Sequence, residues 1–295
     1  VPMQRNSPMG TDGQIGSWPV SLPDKKKEQS VDSAFSAWND AVAKTIASVG
    51  TPEFAHRLEA ALSTIVNFDI LMVFAYSGQE KPVCLYHNID PQRVGTVVDA
   101  YVSGPYILDP FYNTANDPLT SGVKRLRDLA PDHFNKSEYF RRHYKLTGIR
   151  DEVGIICRPE GWTSVVVSFT RPVTAPAFRR QDITAIRAAQ PVIQTLADRH
   201  WQRSGSAPDA EDNDEAAVRD PINEPLTRMT DGILTPREIE ITSLVLQGHS
   251  SGSIARTLAI APGTVKNHRK SIYQKLGISS QAELFASFIH QISGR

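Results

Sequence analysis

The chain has 295 residues, 40% hydrophobic, 22% charged and 8% aromatic, with 32 basic and 32 acidic side chains. That length exceeds what one hydrophobic core usually fills and favours two domains, and the composition excludes collagen-like and wholly disordered classes. No apolar run approaches the roughly 20 residues that cross a bilayer and no charged-then-apolar leader opens the chain, so a cytoplasmic protein with no membrane partner is expected. The two cysteines, Cys84 and Cys157, sit inside apolar stretches. Neither a disulfide framework nor a zinc site follows; buried thiols are expected, with no metal and no cofactor. The zero net charge hides an asymmetry: Lys and Arg stand against Asp and Glu as 22 to 21 over residues 1–202, 3 to 8 over 203–232 and 7 to 3 over 233–295. A basic C-terminal segment points toward a polyanion.

In chain order, residues 1–30 carry Pro2, Pro8, Pro19 and Pro23 with scattered Gly and Ser, and read as a disordered N-terminal arm. Its Lys25-Lys26-Lys27 run is assigned no role. Residues 31–202 read as a sensing domain. Phe35, Trp38, Val42, Ile46 and Val49 recur at helical spacing, and Pro52 opens a second helix whose stripe is Phe54, Leu58, Ala61, Leu62 and Ile65. The run Phe68–Phe74 suits a buried strand, and a turn at Ser77-Gly78 pairs it with a strand over 83–89. A helix over 91–102, an irregular aromatic loop through Tyr112 and amphipathic segments at 125–129 and 137–146 follow. Strands over 152–157 and 163–170 flank the turn Pro159-Glu160-Gly161, and a long helix from Arg180 to Trp201, kinked at Pro191, closes the domain. This order predicts an α+β domain with one central sheet flanked by helices. Residues 203–232, rich in Ser, Asp and Glu, read as an acidic flexible linker.

Residues 233–295 predict an all-α domain of four helices. Thr235 caps a helix that has Pro236 at its first position and Glu238 in its first turn, and Gly248 ends it. Ser250 or Ser251 caps a short second helix, Pro262 opens a third, and a fourth runs from Ser279 to Phe288. On the third helix Val265, Ile272 and Leu276 share a buried stripe while Lys266, Asn267, Arg269 and Lys270 project elsewhere. A basic and amide-bearing helix braced across a tight turn suits the major groove, where Lys or Arg pairs with guanine and Asn with adenine. The ordered series Leu234-Thr235-Pro236-Arg237-Glu238, Gly248, Ile254-Ala255, Thr264-Val265-Lys266-Asn267-His268 and Ile272-Tyr273-Gln274-Lys275-Leu276-Gly277 resembles the LuxR-type helix-turn-helix of bacterial transcription regulators. The resemblance implies binding of double-stranded DNA as a homodimer. Base contacts would fall at Lys266, Asn267 and Lys270, phosphate contacts at Ser250, Thr264 and Arg269, and a backbone or structural role at His268. Gly252-Ser253 and Gln281 depart from the family pattern. On the fourth helix Leu284, Phe285 and Phe288 are candidate dimer contacts, Leu284 or Phe285 alternatively completing the small core.

The sharpest feature of the first domain is the aromatic stretch Tyr101–Tyr112. Tyr101, Tyr106, Phe111 and Tyr112 beside Asp109 would make an apolar pocket with one polar anchor, with Glu152 and Trp162 as further lining candidates. The carboxylate would prefer an amide, amine or other donor, and the rings would suit a cation. The stretch is similar to the autoinducer-binding domain of LuxR-type quorum sensors, where spaced aromatics precede an Asp-Pro pair. Here the spacing is one residue shorter, and Val97 stands near the place of a ligand-contacting tryptophan, which counts against an acyl-homoserine lactone. The fold order also resembles GAF and PAS-type sensors. The function expected is a non-enzymatic, sequence-specific transcription regulator controlled by a small effector of the amine, amide or acyl class. Two alternatives stay open: control by a protein partner, and a hydrolase or metabolite-binding protein using Gly248-His249-Ser250-Ser251-Gly252, which fits the Gly-x-Ser-x-Gly nucleophile elbow only if a buried strand precedes it.

Overall fold

A computed structural model describes residues 25–78, 80–202 and 221–293. Most of the expected N-terminal arm and residues 203–220 of the expected linker lie outside the described residues. Where those two regions are described, both are helical at the edge. Helix α1 (Lys25–Ala47) starts inside the arm, and α9 (Asn223–Thr230) occupies the end of the linker. The charge of the linker masked an apolar anchor, because Ile222 and Leu226 are buried and α9 packs on the C-terminal helices.

The first domain runs α1, α2 (Phe54–Ser63), β1 (Leu71–Tyr76), β2 (Val83–His87), α3 (Pro91–Val94), a π-helical turn at Gly95–Asp99, α4 (Ala100–Val102), a 3-10 turn at Pro105–Leu108, α5 (Pro110–Ala115), β3 (Gly122–Arg125), α6 (Leu126–Leu129), α7 (Glu138–Phe140), a second π-helical turn at Arg141–Lys145, β4 (Ile149–Cys157), β5 (Ser164–Pro172) and α8 (Arg180–Trp201). The strands form one five-stranded antiparallel sheet in the order β2-β1-β5-β4-β3. Both expected hairpins are present, and the central α+β sheet is as the sequence indicated. Strand β3 was not expected: it is short, begins at a glycine and carries Lys124 and Arg125, so only its pairing on the β4 edge identifies it.

Both faces of the sheet are covered, which is why β1 reads as an unbroken apolar run and not an alternation. Leu71, Val73, Ala75, Ile155, Val165 and Val167 pack on one face with α2 and α8. Met72, Phe74, Tyr76, Ile156 and Val166 pack on the other, beneath the aromatic region that follows β2. Helix α8 runs through Pro191. Gly154 on β4 lets the Phe111 ring lie flat on the sheet, since a Cβ there would sit 2.7 Å from Phe111 Cε1.

The C-terminal domain comprises α9, α10 (Pro236–Gln247), α11 (Ser251–Thr257), α12 (Pro262–Leu276) and α13 (Gln281–Ser293). The capping box at Thr235 and Glu238 opens α10, and Gly248 ends it in the left-handed conformation at φ +97°, as the sequence signals require. Leu284, Phe285 and Phe288 are buried within the chain itself at 1%, 3% and 0% exposure, which corrects the reading of Phe288 as a dimer contact and fits the alternative that Leu284 or Phe285 completes the small core. They close the core against α10 and α9, and Arg142 of the first domain covers Phe285 at 5.5 Å. On α1 the apolar stripe is left largely uncovered: Phe35 and Ile46 are 64% and 56% exposed, and Trp38, Val42 and Val49 are half-buried.

Candidate DNA-reading helix and buried polar cavity

Helix α12 presents Thr264, Lys266, Asn267 and Lys270 to solvent, with His268 and Arg269 half-buried beside them. The opposite side holds Val265 and Ile272 in the core at 0% and 1% exposure. Arg269 is steered by weak contacts, Nη1 to Ser251 Oγ at 3.5 Å and Nη2 to Tyr273 Oη at 3.4 Å. The register of α12 on α10 is set by Glu238, a residue the sequence marked only as an acid in a first turn. Lys275 Nζ donates to Glu238 Oε2 at 2.6 Å, Ser271 Oγ to Oε1 at 3.1 Å and Thr235 N to Oε2 at 2.9 Å. Burial pushes this carboxyl up, but the bonds from Lys275, Thr235 and Ser271 outweigh it and hold it at about 2. Gln281, a departure from the family pattern, donates Nε2 to the Val245 carbonyl at 3.0 Å and ties α13 to α10.

The Gly-x-Ser-x-Gly motif lies between two helices. No strand precedes it, and the Ser250 hydroxyl caps α11 by accepting from Ser253 N at 3.0 Å, so the hydrolase elbow lacks its strand-turn-helix context. The same serine joins the two domains. Ser250 N donates to Asp132 Oδ1 at 2.9 Å and Ser250 Oγ to Asp132 Oδ2 at 2.5 Å. Next to it, His133 N donates to the Gly248 carbonyl at 3.0 Å. The backbones touch here, since a Cβ on Gly248 would lie 2.9 Å from Phe134 Cα. Burial raises the Asp132 carboxyl, and the two Ser250 bonds outweigh that to hold it below its ordinary value.

The sequence-selected pocket residues divide three ways. Tyr101, Asp109, Phe111 and Glu152 converge on one enclosed cavity of about 20 Å³, together with Met72, Phe74, Tyr76, Val97, His143, Tyr144, Val166 and Ser168. Tyr106 and Tyr112 line a different cavity of about 250 Å³ at the junction of the domains, with Lys81, Pro221, Glu224, Arg228 and Ile292. Trp162 belongs to the opposite face of the sheet, where its Nε1 donates to the Trp201 carbonyl at 3.0 Å. It is removed from the pocket because β5 follows it with the other face turned to the cavity.

In the enclosed cavity Asp109 caps α5, accepting from Phe111 N at 2.8 Å, and its Oδ2 accepts from Tyr101 Oη at 2.8 Å. Tyr76 Oη lies 3.1 Å from Tyr101 Oη. Glu152 on β4 accepts from Tyr144 Oη at 2.7 Å and from Ser168 Oγ. Burial pushes both carboxyls up from their ordinary range, and the Asp109 charge adds to the rise at Glu152. Burial pushes His143 down to about 4, and burial followed by the Asp109 charge drives Tyr101 and Tyr139 upward. Tyr76 was within reach of the sequence, as the next member of the period-two series Met72, Phe74. Tyr139, Tyr144 and Ser168 carry no local signal; the fold alone gathers them.

The chain is similar to several known proteins. The family model for bacterial regulatory proteins, luxR family, matches residues 232–288. A putative HTH-type transcriptional regulator in the exeN 3′ region of Aeromonas salmonicida is 29% identical over 186 residues, 62% of this chain and 94% of that protein. The transcriptional regulatory protein MctR of Rhizobium johnstonii is 47% identical over 51 residues, 17% of this chain and 24% of that protein. Among solved structures, the VqsR LBD domain from Pseudomonas aeruginosa superposes with a TM-score of 0.49 at 20% identity, covering 56% of this chain and 96% of that one. Over residues 232–288 the chain therefore carries the DNA-binding helix-turn-helix domain of the LuxR family of bacterial transcriptional regulators.

Proposed function

We propose that this regulator reads a two-fold symmetric duplex site as a homodimer, under the control of a small molecule bound between the central sheet and the aromatic region of the first domain. Lys266, Asn267 and Lys270 read base edges; Thr264, Arg269 and Ser250 hold phosphates, and His268 supports the backbone side of the helix. The observation that carries the reading is the exposed basic and amide face of α12, rigidly backed by Val265 and Ile272 and locked by the Glu238–Lys275 pair. For effector control, the support is the convergence of Tyr101, Asp109, Phe111 and Glu152 on one cavity.

Control acts through Asp132. In the arrangement seen here this carboxylate takes both the amide and the hydroxyl of Ser250, the groups that a duplex phosphate would use, and it brings negative charge to that position. Docked and DNA-bound states therefore compete, and an effector that favours one sensor arrangement shifts the balance.

The test is duplex binding by the full chain against ionic strength. Replacing Lys266 and Lys270 by alanine should weaken binding at least tenfold and relax the sequence preference at the bases they contact, while Arg269→Ala should reduce the slope of log affinity against log salt by about 1. An unchanged affinity and slope would remove α12 as the reading element. Effector control is tested separately, by thermal-shift screening of amines, amides and acyl compounds with Asp109→Ala as the comparison.

A further inference from the structure

Glu152 is a second buried acid facing Asp109, and an apolar pocket with one polar anchor does not need it. The two carboxylates come from separate elements, the turn before α5 and strand β4, and are 6% exposed each. Each accepts hydrogen bonds only from neutral donors: the Phe111 amide and Tyr101 for Asp109, Ser168 and Tyr144 for Glu152. No Lys or Arg lines the cavity among the described residues, and His143 in its wall stays neutral, stacked on the Tyr139 ring at 5.4 Å. Two uncompensated acids in an enclosed site destabilise a fold, and such arrangements concentrate where a ligand supplies the missing charge.

Tyr139 provides an independent sign. Its side chain is 1% exposed and its hydroxyl has no hydrogen-bond partner. That hydroxyl stands among the cluster, within electrostatic reach of Asp109, Glu152 and Tyr76. An unsatisfied buried hydroxyl normally costs about 1–3 kcal/mol, so one retained beside two acids is a group without its intended partner.

We propose that the cavity between Asp109 and Glu152 seats the ammonium head of a primary alkylamine, with the two carboxylates as its acceptors. This deepens the effector reading above and rests on it. An ammonium carries three N–H donors and no acceptor, which matches two carboxylates with no cationic side chain in the cavity wall. The surrounding rings, Phe74, Tyr76, Tyr101, Phe111 and Tyr144, offer the aromatic faces that attract a cation. The cavity of about 20 Å³ holds one water-sized group, which is the size of an ammonium head and smaller than a lactone ring. Met72, Val97 and Val166 complete the wall around the head group with apolar surface.

The experiment compares n-butylamine, n-butanol and butyrate as probes of the full chain at matched ionic strength, by thermal shift and titration calorimetry. Butylamine is expected to raise Tm and to bind, with butanol and butyrate inert. Glu152→Gln and Asp109→Asn should weaken butylamine at least tenfold. Tyr139→Phe should raise the ligand-free Tm, because it removes a buried hydroxyl that has no partner. A wild-type chain that ignores butylamine, or a Glu152→Gln chain that responds as strongly as the wild type, overturns the ammonium site. Equal stabilisation by butanol or butyrate also overturns it but leaves an effector site of another class. The effector reading itself fails only when no compound of any class in the broader screen stabilises the chain.

Discussion

Glu238 gathers bonds from Lys275, Ser271 and Thr235 while only 4% exposed, so the orientation of α12 hangs on one carboxylate. Glu238→Ala removes both a helix cap and a charge-assisted bond, and should cost about 2–3 kcal/mol. It is read as faster amide hydrogen exchange along α10 and α12. Because the folded carboxyl is held at about 2, its contribution is complete above the ordinary carboxylate range of about 4 and is lost as pH falls from there toward about 2. Asp109 and Glu152 carry the opposite sign. Their folded values are raised, so as pH rises above about 4 the unfolded chain gives up protons that the folded chain keeps, and stability declines until the folded groups ionise, Asp109 at about 6 and Glu152 at about 7. The groups facing them are Tyr76 on β1, Tyr101 on α4, Tyr139 on α7, His143 and Tyr144 in the π-turn, Asp151 on β4 and Ser168 on β5. Glu152→Gln should therefore melt higher than the wild type at pH 8 and match it at pH 4. A difference of equal size at both pH values would show that the raised carboxyl is not the cause.

Between elements, the decisive contact is the seam from the 132–137 loop to the start of α11. It is made of backbone and short polar groups: Asp132 on Ser250, His133 on Gly248, and Gly248 pressed on Phe134. Such a seam holds by geometry more than by apolar area, and an exposed carboxylate at its centre is readily displaced. Asp132→Ala should raise duplex affinity several-fold without effector, measured by fluorescence anisotropy on the full chain, and leave the salt slope of the bound state in place. Reduced affinity in that variant would show that the seam positions the reading helix and does not withhold it. The helices themselves were legible. Thr235-Pro236, Gly248 and Pro262 marked the ends of α10 and the start of α12 because caps and stops are local chemistry, readable without a neighbour. Strand β3 and helix α9 were not, since both depend on an edge or an apolar anchor supplied from elsewhere in the chain.

For the assembled protein, the exposed apolar side chains Phe35 and Ile46 on α1 and Val192 on α8 are the feature that a monomer leaves unexplained. They border grooves of about 550 and 460 Å³ that run between these two helices. With a two-fold symmetric DNA site proposed, a second copy of the chain is the expected occupant. Phe35→Glu combined with Ile46→Glu should convert a dimer to a monomer in sedimentation velocity while leaving the sheet intact by circular dichroism. Dimers that persist in this variant would place the interface elsewhere. The sequence pattern put Phe35 and Ile46 on one helix face, and periodicity reports that a stripe is apolar and not what covers it.

From the amino-acid order alone came an α+β sheet followed by a helical C-terminal region, the hairpins, helix α12 with its outward Lys266, Asn267 and Lys270, and four members of the buried cavity. All of these follow from signals carried within a few residues: caps, periodicity, turn chemistry and an ordered motif. Tertiary structure alone decided that Tyr106 and Tyr112 face the domain junction and Trp162 the far side of the sheet. It alone turned Leu284, Phe285 and Phe288 inward, placed Tyr139 and Tyr144 beside the two acids, and brought Asp132 onto Ser250. Those outcomes join residues far apart in the chain, and the free energy that selects them arises only when the helices and the sheet close on one another.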